Sequence, residues 1–489
     1  MSDKFKKHVV IFGGCQVLYL EQKKINERTY NGSQLNYDMV VSLANNNPDT
    51  KFFVLSGCLS ARTNDKVIDR KRIENQELLK SIFKYYSTNK EESNIEFIVE
   101  NEFRFEKGDT ADPKKLKIKL DGLVSALQKT GIDYGVMKGG FFNGHIPFLT
   151  PKISKTLGQF DENGNPIMSS KAATCENNII YSMYVLNNLK GKDGKPLKYI
   201  TINDDDQFCG LRCKQNINLN VVIPEVANIN MYNGFNEYNL YEELDPYVID
   251  ETNKGLREFK HYKVPVIFKQ GMDTILLKSD SMKSLNKVDI KEKNGLFMYM
   301  NFREHDNIRY DRFKDFILLN DLNCDVKLWT NLKDFKNSEI RKNGILNPKQ
   351  YDISHGIAGH KETMEELCKA KYTLCISVFK TQQCIGRFWE AVYCGVIPFV
   401  QRETDENGEL IDGIGSKEWK EMYNIPDFLF VKNGKELAEK IEILENNNSL
   451  YEETLKNITS LLKDEYIDKN QINKIIQEVV EEYVNKGES

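Results

Sequence analysis

Short, uninterrupted runs of apolar residues, each closed by glycine or a polar residue, recur along both halves of this 489-residue chain. Such runs are typical of parallel β-strands that are covered by helices on both faces. Amphipathic stretches of helical period separate them, so strand–helix–strand repetition in two blocks predicts two doubly wound α/β domains. The runs begin at His8, Lys51, Ile95, Tyr134, Lys198 and Asn220 in the first half, and at Gly295, Cys324, Tyr372, Val396 and Phe428 in the second.

A polar stretch between these blocks, Asp250–Val264, carries a Thr-Asn-Lys-Gly turn sequence before an apolar run resumes. This stretch predicts a domain boundary. We therefore expect residues 1–255 to form an N-terminal Rossmann-like domain and residues 256–470 a C-terminal one. The amphipathic segment Ile472–Val484 predicts a last helix, within residues 471–489, that crosses back onto the first domain.

Charge and composition limit the classes of function. With 68 basic and 72 acidic residues the formal net charge is -4, so no global positive field attracts nucleic acid, although a local basic cleft is compatible with that total. The sequence contains no run of about 18 apolar residues, so no membrane-spanning helix is predicted. The first apolar run follows the N-terminus directly and the 10 Cys are scattered, which favours a cytoplasmic protein with reduced thiols.

Several common catalytic motifs are absent from the sequence. It contains no GxxxxGK[ST] phosphate loop, no GxSxG nucleophile elbow and no GxGxxG dinucleotide fingerprint, which argues against a kinase, an ATPase or a serine hydrolase. Cys209 and Cys213 lack a second ligand pair at zinc spacing. His355 and His360 fall in a glycine-rich loop and not on one helix face. We therefore predict no metal site in the protein.

The strongest local motif is RFWEAVYCGVIPFV, from Arg387 to Val400, which predicts a helix, a tight turn at Gly395 and a buried strand. Doubly wound domains bind ligands outside the carboxyl ends of their strands. A carboxylate there, Glu390, could accept both hydroxyls of a ribose, and Arg387, one turn earlier on the same face, could bind a phosphate. The alternative is an ion pair on the helix surface beside a core strand.

Two arginines, Arg303 and Arg309, follow the strand that ends near Phe302. Guanidinium groups at a strand-to-helix turn can clamp a diphosphate, and a solvated charged loop is the alternative. Farther along, Gly356 lies in the segment DISHGIAGHKE. We interpret that segment as a loop that closes over a donor and contacts its phosphate or base through the main chain.

Three adjacent acids, Asp204, Asp205 and Asp206, follow an apolar run in the first half. A carboxylate at the carboxyl end of a strand can take a proton from an acceptor hydroxyl, and repulsion among three acids raises the pKa of at least one. An acidic turn or a helix N-cap is the alternative. Glycines follow two other strands, at Gly14 and in Gly139–Gly144, where they allow close approach of a ligand or simply form turns.

Four segments together resemble the phage DNA β-glucosyltransferases, which have the GT-B architecture of two Rossmann-like domains facing each other across a cleft. The resemblance implies that this chain has the same α/β fold. The pattern E-A-x-x-x-G-x-I-P-x-V in one of them also occurs in exostosin-like and fucosyltransferase-like enzymes. The segments are MYMNFREHDNIRYDRFKDFILLNDLNCDVKLWTNLKDF, RFWEAVYCGVIPFV, IDYGVMKGGFFNGHI and KYITINDDDQF.

The resemblance implies an inverting glycosyltransferase that uses a UDP-sugar, with glucose as the expected sugar. Its acceptor would be the hydroxymethyl group of a modified pyrimidine, hydroxymethylcytosine or hydroxymethyluracil, in double-stranded DNA. The N-terminal domain would bind this acceptor, with Asp204 as general base and with contacts from Gly140, Phe141 and Asn143. The sequence departs from the family at Asp206, where the family has arginine, so the choice of base among the three acids stays open.

By the same resemblance, the C-terminal domain would bind the donor. Arg303, Arg309 and Arg387 would hold the diphosphate and Glu390 the ribose, with Gly14 and Gly356 as further donor contacts. Mg²⁺ or Mn²⁺ is expected to assist UDP release without being essential. We expect a monomer without a membrane partner.

Two other functions stay open at this point. One is a GT-B glycosyltransferase that acts on a glycan or a protein, and the other is a sugar-nucleotide-binding protein without activity. A basic cleft wall around Lys6, Lys7, Lys138 and Lys171 would favour DNA as the acceptor, whereas a polar wall lined by aromatic residues would favour a glycan.

Overall fold

The computed structural model describes residues 4–12, 40, 42–55, 94–98, 112–138, 151–158, 160, 164–166, 184–203, 219–224, 269–274, 277, 280–300, 315–316, 321–330, 351–355, 360–376, 386–401, 416–468 and 470–485.

The first half of the chain forms a sheet of parallel strands. They are β1 (Lys7–Phe12), β2 (Thr50–Leu55), β3 (Ile95–Ile98), β4 (Tyr134–Lys138), β5 (Tyr199–Asn203) and β6 (Leu219–Pro224). Every neighbouring pair is parallel, in the order β3-β2-β1-β4-β5-β6. The winding direction reverses between β1 and β4, so their carboxyl ends mark a topological switch point.

A second parallel sheet follows in the other half. Its strands are β7 (Leu296–Met300), β8 (Val326–Thr330), β9 (Tyr351–His355), β10 (Tyr372–Cys375), β11 (Ile397–Gln401) and β12 (Phe430–Val431). Their order is β12-β11-β10-β7-β8-β9. Counted from its own first strand, this sheet repeats the order of the first one. The predicted pair of doubly wound α/β units is therefore confirmed, and β7 and β10 flank the second switch point.

Ten helices with defined bounds occur in the described part of the chain, together with 3₁₀ turns at Ile290–Glu292 and Asp427–Leu429 and a π-helical turn at Val480–Asn485. Residues 42–46 and 184–188 are helical as well. In the described part, no helix has both the length and the apolar character needed to cross a membrane. The helices are α1 (Pro113–Gln128), α2 (Pro151–Leu157), α3 (Asp280–Lys283), α4 (His360–Leu367), α5 (Arg387–Tyr393), α6 (Ser416–Tyr423), α7 (Gly434–Glu445), α8 (Asn448–Thr459), α9 (Asp464–Ile467) and α10 (Gln471–Val479).

The last helix, α10, buries its apolar face in the core of the first sheet. Ile472, Ile475, Ile476 and Val479 belong to the same buried cluster as strand residues such as Val9. Polar bonds reinforce this packing, because Lys198 Nζ donates to the carbonyl of Val484 at 2.5 Å and Asn47 donates to Asn473 at 2.7 Å. The N-terminal sheet is thus covered by residues from the far end of the chain.

A separate buried cluster surrounds the second sheet and includes residues from Leu277 to Tyr466. The domain boundary expected at residues 255 and 256 lies outside the described residues and stays a proposal. The segment 269–274 lies between the two clusters: Met272 packs with α10 in the first, and its neighbour Asp273 bonds to α5 in the second.

Gly295, just before β7, has a conformation that an L-residue tolerates poorly. Its φ is +62°, and a Cβ there would lie 2.3 Å from the carbonyl oxygen of Asp325. We expect Gly295→Ala to lower the free energy of unfolding by about 3 kcal/mol, measured by urea denaturation. The matched control is Gly194→Ala, where φ is +77° but nothing lies within 4 Å, so about 1 kcal/mol is expected. Equal losses would show that the close contact is unimportant.

Candidate functional site

Arg387 and Glu390, which the sequence singles out, both contact Tyr299 at the switch point of the second sheet. Tyr299 is the penultimate residue of β7, and its hydroxyl donates a hydrogen bond to Glu390 Oε2. The guanidinium carbon of Arg387 lies 4.6 Å from the centroid of the Tyr299 ring. One tyrosine therefore orients both a carboxylate and a guanidinium at the carboxyl end of β7, where doubly wound domains bind ligands.

The local sequence of α5 explains how these groups reach the site. Arg387 and Glu390 are three residues apart, which places them on the same helix face. The helix ends at Tyr393, and its C-cap residue Cys394 is followed by Gly395, whose φ is +68°. Its N–H donates to the carbonyl of Val392 at 3.1 Å, while Val396 N–H donates to the carbonyl of Ala391 at 2.9 Å. This is a Schellman termination, and it turns the chain directly into β11.

Glu390 is buried, with only 5% of its surface exposed. The alternative of an ion pair on the helix surface therefore does not describe this residue. Burial raises the pKa of Tyr299 well above its usual value, and the negative charge of Glu390 raises it further. Tyr299 consequently stays protonated and acts as a hydrogen-bond donor, which holds the carboxylate of Glu390 in one orientation.

Cys375, the last residue of β10, forms the neighbouring wall of the site. Burial raises its pKa to about 12, so the thiol is neutral. The charge of Arg387 lowers that pKa and the charge of Glu390 raises it, as expected if both groups lie close to the end of β10. The site therefore spans the carboxyl ends of two adjacent strands.

The position of α5 is fixed by Trp389, next to Glu390. Trp389 is 1% exposed, and its indole N–H donates to Asp273 Oδ2 at 2.6 Å. The other oxygen of Asp273 accepts a hydrogen bond from the Tyr423 hydroxyl, and the Tyr423 ring meets Trp389 edge-on at 4.7 Å. Because Met272 packs on the first sheet, Asp273 also ties α5 to the segment that joins the two cores.

Gln401, the last residue of β11, adds an uncompensated polar atom at the same edge of the sheet. It is 7% exposed, and its Oε1 has no hydrogen-bond partner in the described parts of the chain. A buried carbonyl oxygen without a partner is costly, so a ligand hydroxyl or N–H is a suitable partner for it. Tyr299 and Gln401 are candidate residues that the sequence did not reveal, since each looks like an ordinary strand position.

The other predicted site residues lie outside the described residues, namely Gly14, Gly140, Phe141, Asn143, Asp204, Asp205, Asp206, Arg303, Arg309 and Gly356. Each belongs to a segment that follows the carboxyl end of a described strand. Asp204 comes directly after β5, and Gly356 comes directly after β9. Among the described residues, no group of three or more His, Cys, Asp or Glu side chains is arranged to hold a metal ion.

Comparison with known proteins finds neither a matching protein family nor a matching curated protein. Solved structures do match. T4 phage β-glucosyltransferase has a TM-score of 0.45 at 10% identity, over 97% of this chain and 99% of that one. An α-glucosyltransferase in complex with UDP and a 13-mer DNA containing an HMU base has a TM-score of 0.46 at 11% identity, over 97% of this chain and 99% of that one. A Thermobaculum terrenum O-GlcNAc transferase mutant has a TM-score of 0.44 at 9% identity, over 97% of this chain and 67% of that one.

The described residues show two doubly wound α/β units. A phage DNA β-glucosyltransferase, of the family that the sequence resembles, is among the structures found. The function has to be argued from the site around Tyr299.

Proposed function

We propose that the protein is an inverting glycosyltransferase that moves a sugar, glucose in the first instance, from a UDP-sugar to a hydroxymethylated pyrimidine in DNA. The observation that supports it most is the grouping of Tyr299, Arg387 and Glu390 at the switch point of the second sheet. A buried carboxylate beside a guanidinium matches the two parts of a nucleoside diphosphate, its ribose hydroxyls and its phosphates.

In this proposal, Glu390 binds the ribose of the donor and Arg387 binds its diphosphate. Glu390 accepts a hydrogen bond from Tyr299, and a carboxylate can accept several hydrogen bonds at once, which suits the two ribose hydroxyls. Arg387 lies over the Tyr299 ring, with its guanidinium carbon 4.6 Å from the ring centroid, and its N–H groups suit a phosphate oxygen. Arg303 and Arg309 complete the diphosphate clamp in this proposal, Gly14 and Gly356 contact the donor through their main chain, and Gln401 accepts a sugar hydroxyl.

The transfer itself joins the two halves of the chain. One of Asp204, Asp205 and Asp206 takes the proton from the acceptor hydroxymethyl group, and that oxygen attacks the anomeric carbon. A bond from oxygen to carbon forms as the bond from carbon to the diphosphate oxygen breaks, so the configuration inverts. UDP leaves with the bonding electrons, and the arginines stabilise its developing charge. Mg²⁺ or Mn²⁺ would assist only the release of UDP.

The first domain offers a surface that favours DNA over a glycan acceptor. Helices α1 and α2 pack together and carry several exposed lysines, although the whole chain has a net charge of -4. Ile118 lies among them on α1 and is 69% exposed, three and four residues after two of these lysines. The exposed lysines are Lys114, Lys115, Lys152 and Lys155. Exposed ammonium groups around one apolar side chain suit a phosphate backbone.

The orientation of α1 supports the proposal that this surface faces the acceptor. The helix leads through residues 129–133 into the amino end of β4, and its 16 residues span about 24 Å. Its first turn therefore points toward the carboxyl edge of the sheet. Lys6 and Lys7 lie instead at the amino end of β1, away from that edge, so they do not form the basic wall considered from the sequence. Lys138 ends β4, and Lys171 lies outside the described residues.

Removing this surface charge is expected to weaken DNA binding. Changing the four exposed lysines of α1 and α2 to glutamine should reduce the slope of log affinity against log salt concentration by about 3.6, since each phosphate contact contributes about 0.9. Fluorescence anisotropy across a salt series measures this. The matched control changes four exposed lysines of the second half to glutamine and should leave the slope intact; they are Lys291, Lys435, Lys456 and Lys463. Equal effects of both variants would reject the α1–α2 surface.

Tyr299→Phe tests the donor site. The change removes the hydroxyl that orients Glu390, so we expect UDP affinity to fall by about tenfold, measured by isothermal titration calorimetry. Tyr372→Phe is the matched control, because it removes a 2.8 Å hydroxyl bond to another carboxylate, Glu445, at the amino end of β10. Unchanged UDP affinity in Tyr299→Phe would separate Glu390 from the donor.

The decisive test is transfer of radiolabelled sugar from a panel of UDP-sugars. The acceptors are duplexes containing hydroxymethylcytosine, hydroxymethyluracil or only unmodified bases. Label in a modified duplex alone supports the proposal and identifies the base. Release of UDP without label in any duplex would support the donor part of the proposal and would indicate that the acceptor is a glycan or a protein. Failure to bind any UDP-sugar would overturn the proposal altogether.

A further inference from the structure

The segment of residues 269–274, called here the joining segment, carries polar bonds that the proposed donor chemistry does not use. Asp273 within it is partly buried. Its Oδ2 accepts a hydrogen bond from the indole N–H of Trp389 at 2.6 Å, and its Oδ1 accepts one from the Tyr423 hydroxyl. One carboxylate therefore holds two buried aromatic side chains of the second half of the chain.

Further bonds connect the joining segment to the same group of aromatic residues. Trp389, Tyr423 and Tyr466 form an aromatic cluster, whose edge-on contacts have ring centroids 4.7 Å apart for the first pair and 5.6 Å apart for the second. The Tyr423 hydroxyl accepts from the Gly271 N–H at 2.7 Å, and the Tyr466 carbonyl accepts from the Thr274 hydroxyl at 2.7 Å. The aromatic cluster is thus held by the joining segment at several points.

On its other side, the joining segment is bonded to α10, which packs on the first sheet. Met272 belongs to the buried cluster of that sheet. Gln471 Nε2 donates to the carbonyl of Gln270 at 3.0 Å, and Lys269 forms an ion pair with Glu478 at 2.9 Å. Because the joining segment is anchored on both sides, Asp273 has a defined place from which to bond to α5.

The charge of Asp273 suits its two partners, which are both neutral donors. An indole N–H can only donate. Burial raises the pKa of Tyr423 above its usual value, and the charge of Asp273 raises it further, so the Tyr423 hydroxyl stays protonated and donates. Hydrogen bonds to an ionised acceptor are roughly twice as strong as neutral ones. The bond from Trp389 is therefore one of the stronger contacts that α5 makes.

The place of Trp389 on α5 connects this bond to the donor site. Trp389 and Glu390 are consecutive residues, so their side chains leave the helix about 100° apart. Trp389 faces the aromatic cluster, whereas Glu390 meets the Tyr299 hydroxyl. The bond to Asp273 therefore sets the rotation of α5 about its own axis. A rotation of about 10° would move a carboxylate about 6 Å from that axis by about 1 Å, which is enough to break a hydrogen bond.

We propose that Asp273 is a positioning residue of the donor site. Through the indole of Trp389 it fixes the rotation of α5, and thereby the place where the Glu390 carboxylate meets the ribose of the donor. The effect on the ribose rests on the proposed function, whereas the fixing of α5 does not. Two measurements on the same variants separate these parts.

The first measurement is hydrogen exchange by mass spectrometry on the whole protein without ligand. Asp273→Leu removes both acceptor oxygens, so the amides of α5 should exchange about fivefold faster while those of α7 stay unchanged. Asp273→Asn retains an oxygen for the indole N–H and should restore slow exchange. Asp121→Leu is the matched control, because it removes a carboxylate on α1 that accepts from the Tyr184 hydroxyl at 2.7 Å. It should leave α5 unchanged.

The second measurement compares the affinities for UDP and for dideoxy-UDP, which lacks both ribose hydroxyls, by isothermal titration calorimetry. The unaltered protein should prefer UDP by about a hundredfold, since Glu390 would accept from both hydroxyls. In Asp273→Leu this preference should fall to about tenfold, and in Asp273→Asn it should return. A variant that is merely less stable binds both nucleotides less well and keeps the preference, as Asp121→Leu should.

The possible results separate the positioning role from the donor site. Unchanged exchange of α5 in Asp273→Leu, or an equal acceleration in α7, would show that Asp273 does not fix α5. Faster exchange of α5 with an unchanged preference for UDP would show that Glu390 does not depend on Asp273, and the proposal would be wrong. If the unaltered protein binds neither nucleotide or does not distinguish them, the donor assignment fails, and the exchange measurement still decides whether Asp273 fixes α5.

Discussion

Glu390→Gln should lower the affinity for UDP by about a hundredfold while leaving the protein folded. A carboxylate that accepts two ribose hydroxyls contributes about 1.5 kcal/mol per bond, and the amide loses the charge that strengthens both. The amide is nearly isosteric and still offers an oxygen to the Tyr299 hydroxyl, so the packing around α5 is retained. Isothermal titration calorimetry with UDP measures the change directly.

A matched control comes from the adjacent helix. Glu366 on α4 accepts hydrogen bonds from Lys327 at 2.7 Å and from Lys369 at 2.9 Å, and neither partner belongs to the proposed donor site. Glu366→Gln should therefore change UDP affinity by less than about twofold. If Glu390→Gln binds UDP as well as the unaltered protein does, the ribose is held elsewhere and the donor site is wrongly placed.

Asp204→Asn should reduce the turnover number by about a thousandfold and leave UDP affinity unchanged. Loss of a general base typically costs 10²–10⁴-fold in rate, whereas the donor is held by the other domain in this proposal. The measurement is label transfer to hydroxymethylated duplex at saturating donor. A fall in turnover with intact donor binding is the pattern expected of a group that acts only in the chemical step.

The neighbouring acids provide the comparison that assigns the base. Asp205→Asn and Asp206→Asn remove the same charge from the same segment, so a general electrostatic effect would lower all three rates alike. A single variant with a much larger loss identifies the base. If none of the three lowers turnover by more than about tenfold, the proton is taken by another group.

The fold was predictable because parallel strands covered on both faces must be apolar without interruption. In β10 and β11 every residue is buried, and their runs are unmistakable in the sequence. The run at Phe428 was misleading in its extent: only Phe430–Val431 pairs in the sheet, and Asp427–Leu429 forms a 3₁₀ turn. Pro426 precedes that turn, and its fixed φ favours a turn over an extended start.

The site was predictable only in part. Arg387 and Glu390 are three residues apart on one helix, a spacing that the sequence shows directly. Tyr299 lies 88 residues before Arg387, inside an apolar run where a tyrosine looks like core. Its role depends on how β7 packs against α5, which no local pattern encodes. The same holds for Asp273, whose partners Trp389 and Tyr423 are brought to it only by the tertiary fold.

The packing of α10 on the first sheet affects how the protein can fold during its synthesis on the ribosome. The strands from β1 to β6 emerge first, but Ile472, Ile475, Ile476 and Val479 emerge only after the whole second sheet has been translated. Until then the apolar face around Val9 lacks part of its cover. The core of the first sheet is therefore completed only after the C-terminal segment has been synthesised, although its strands are made first.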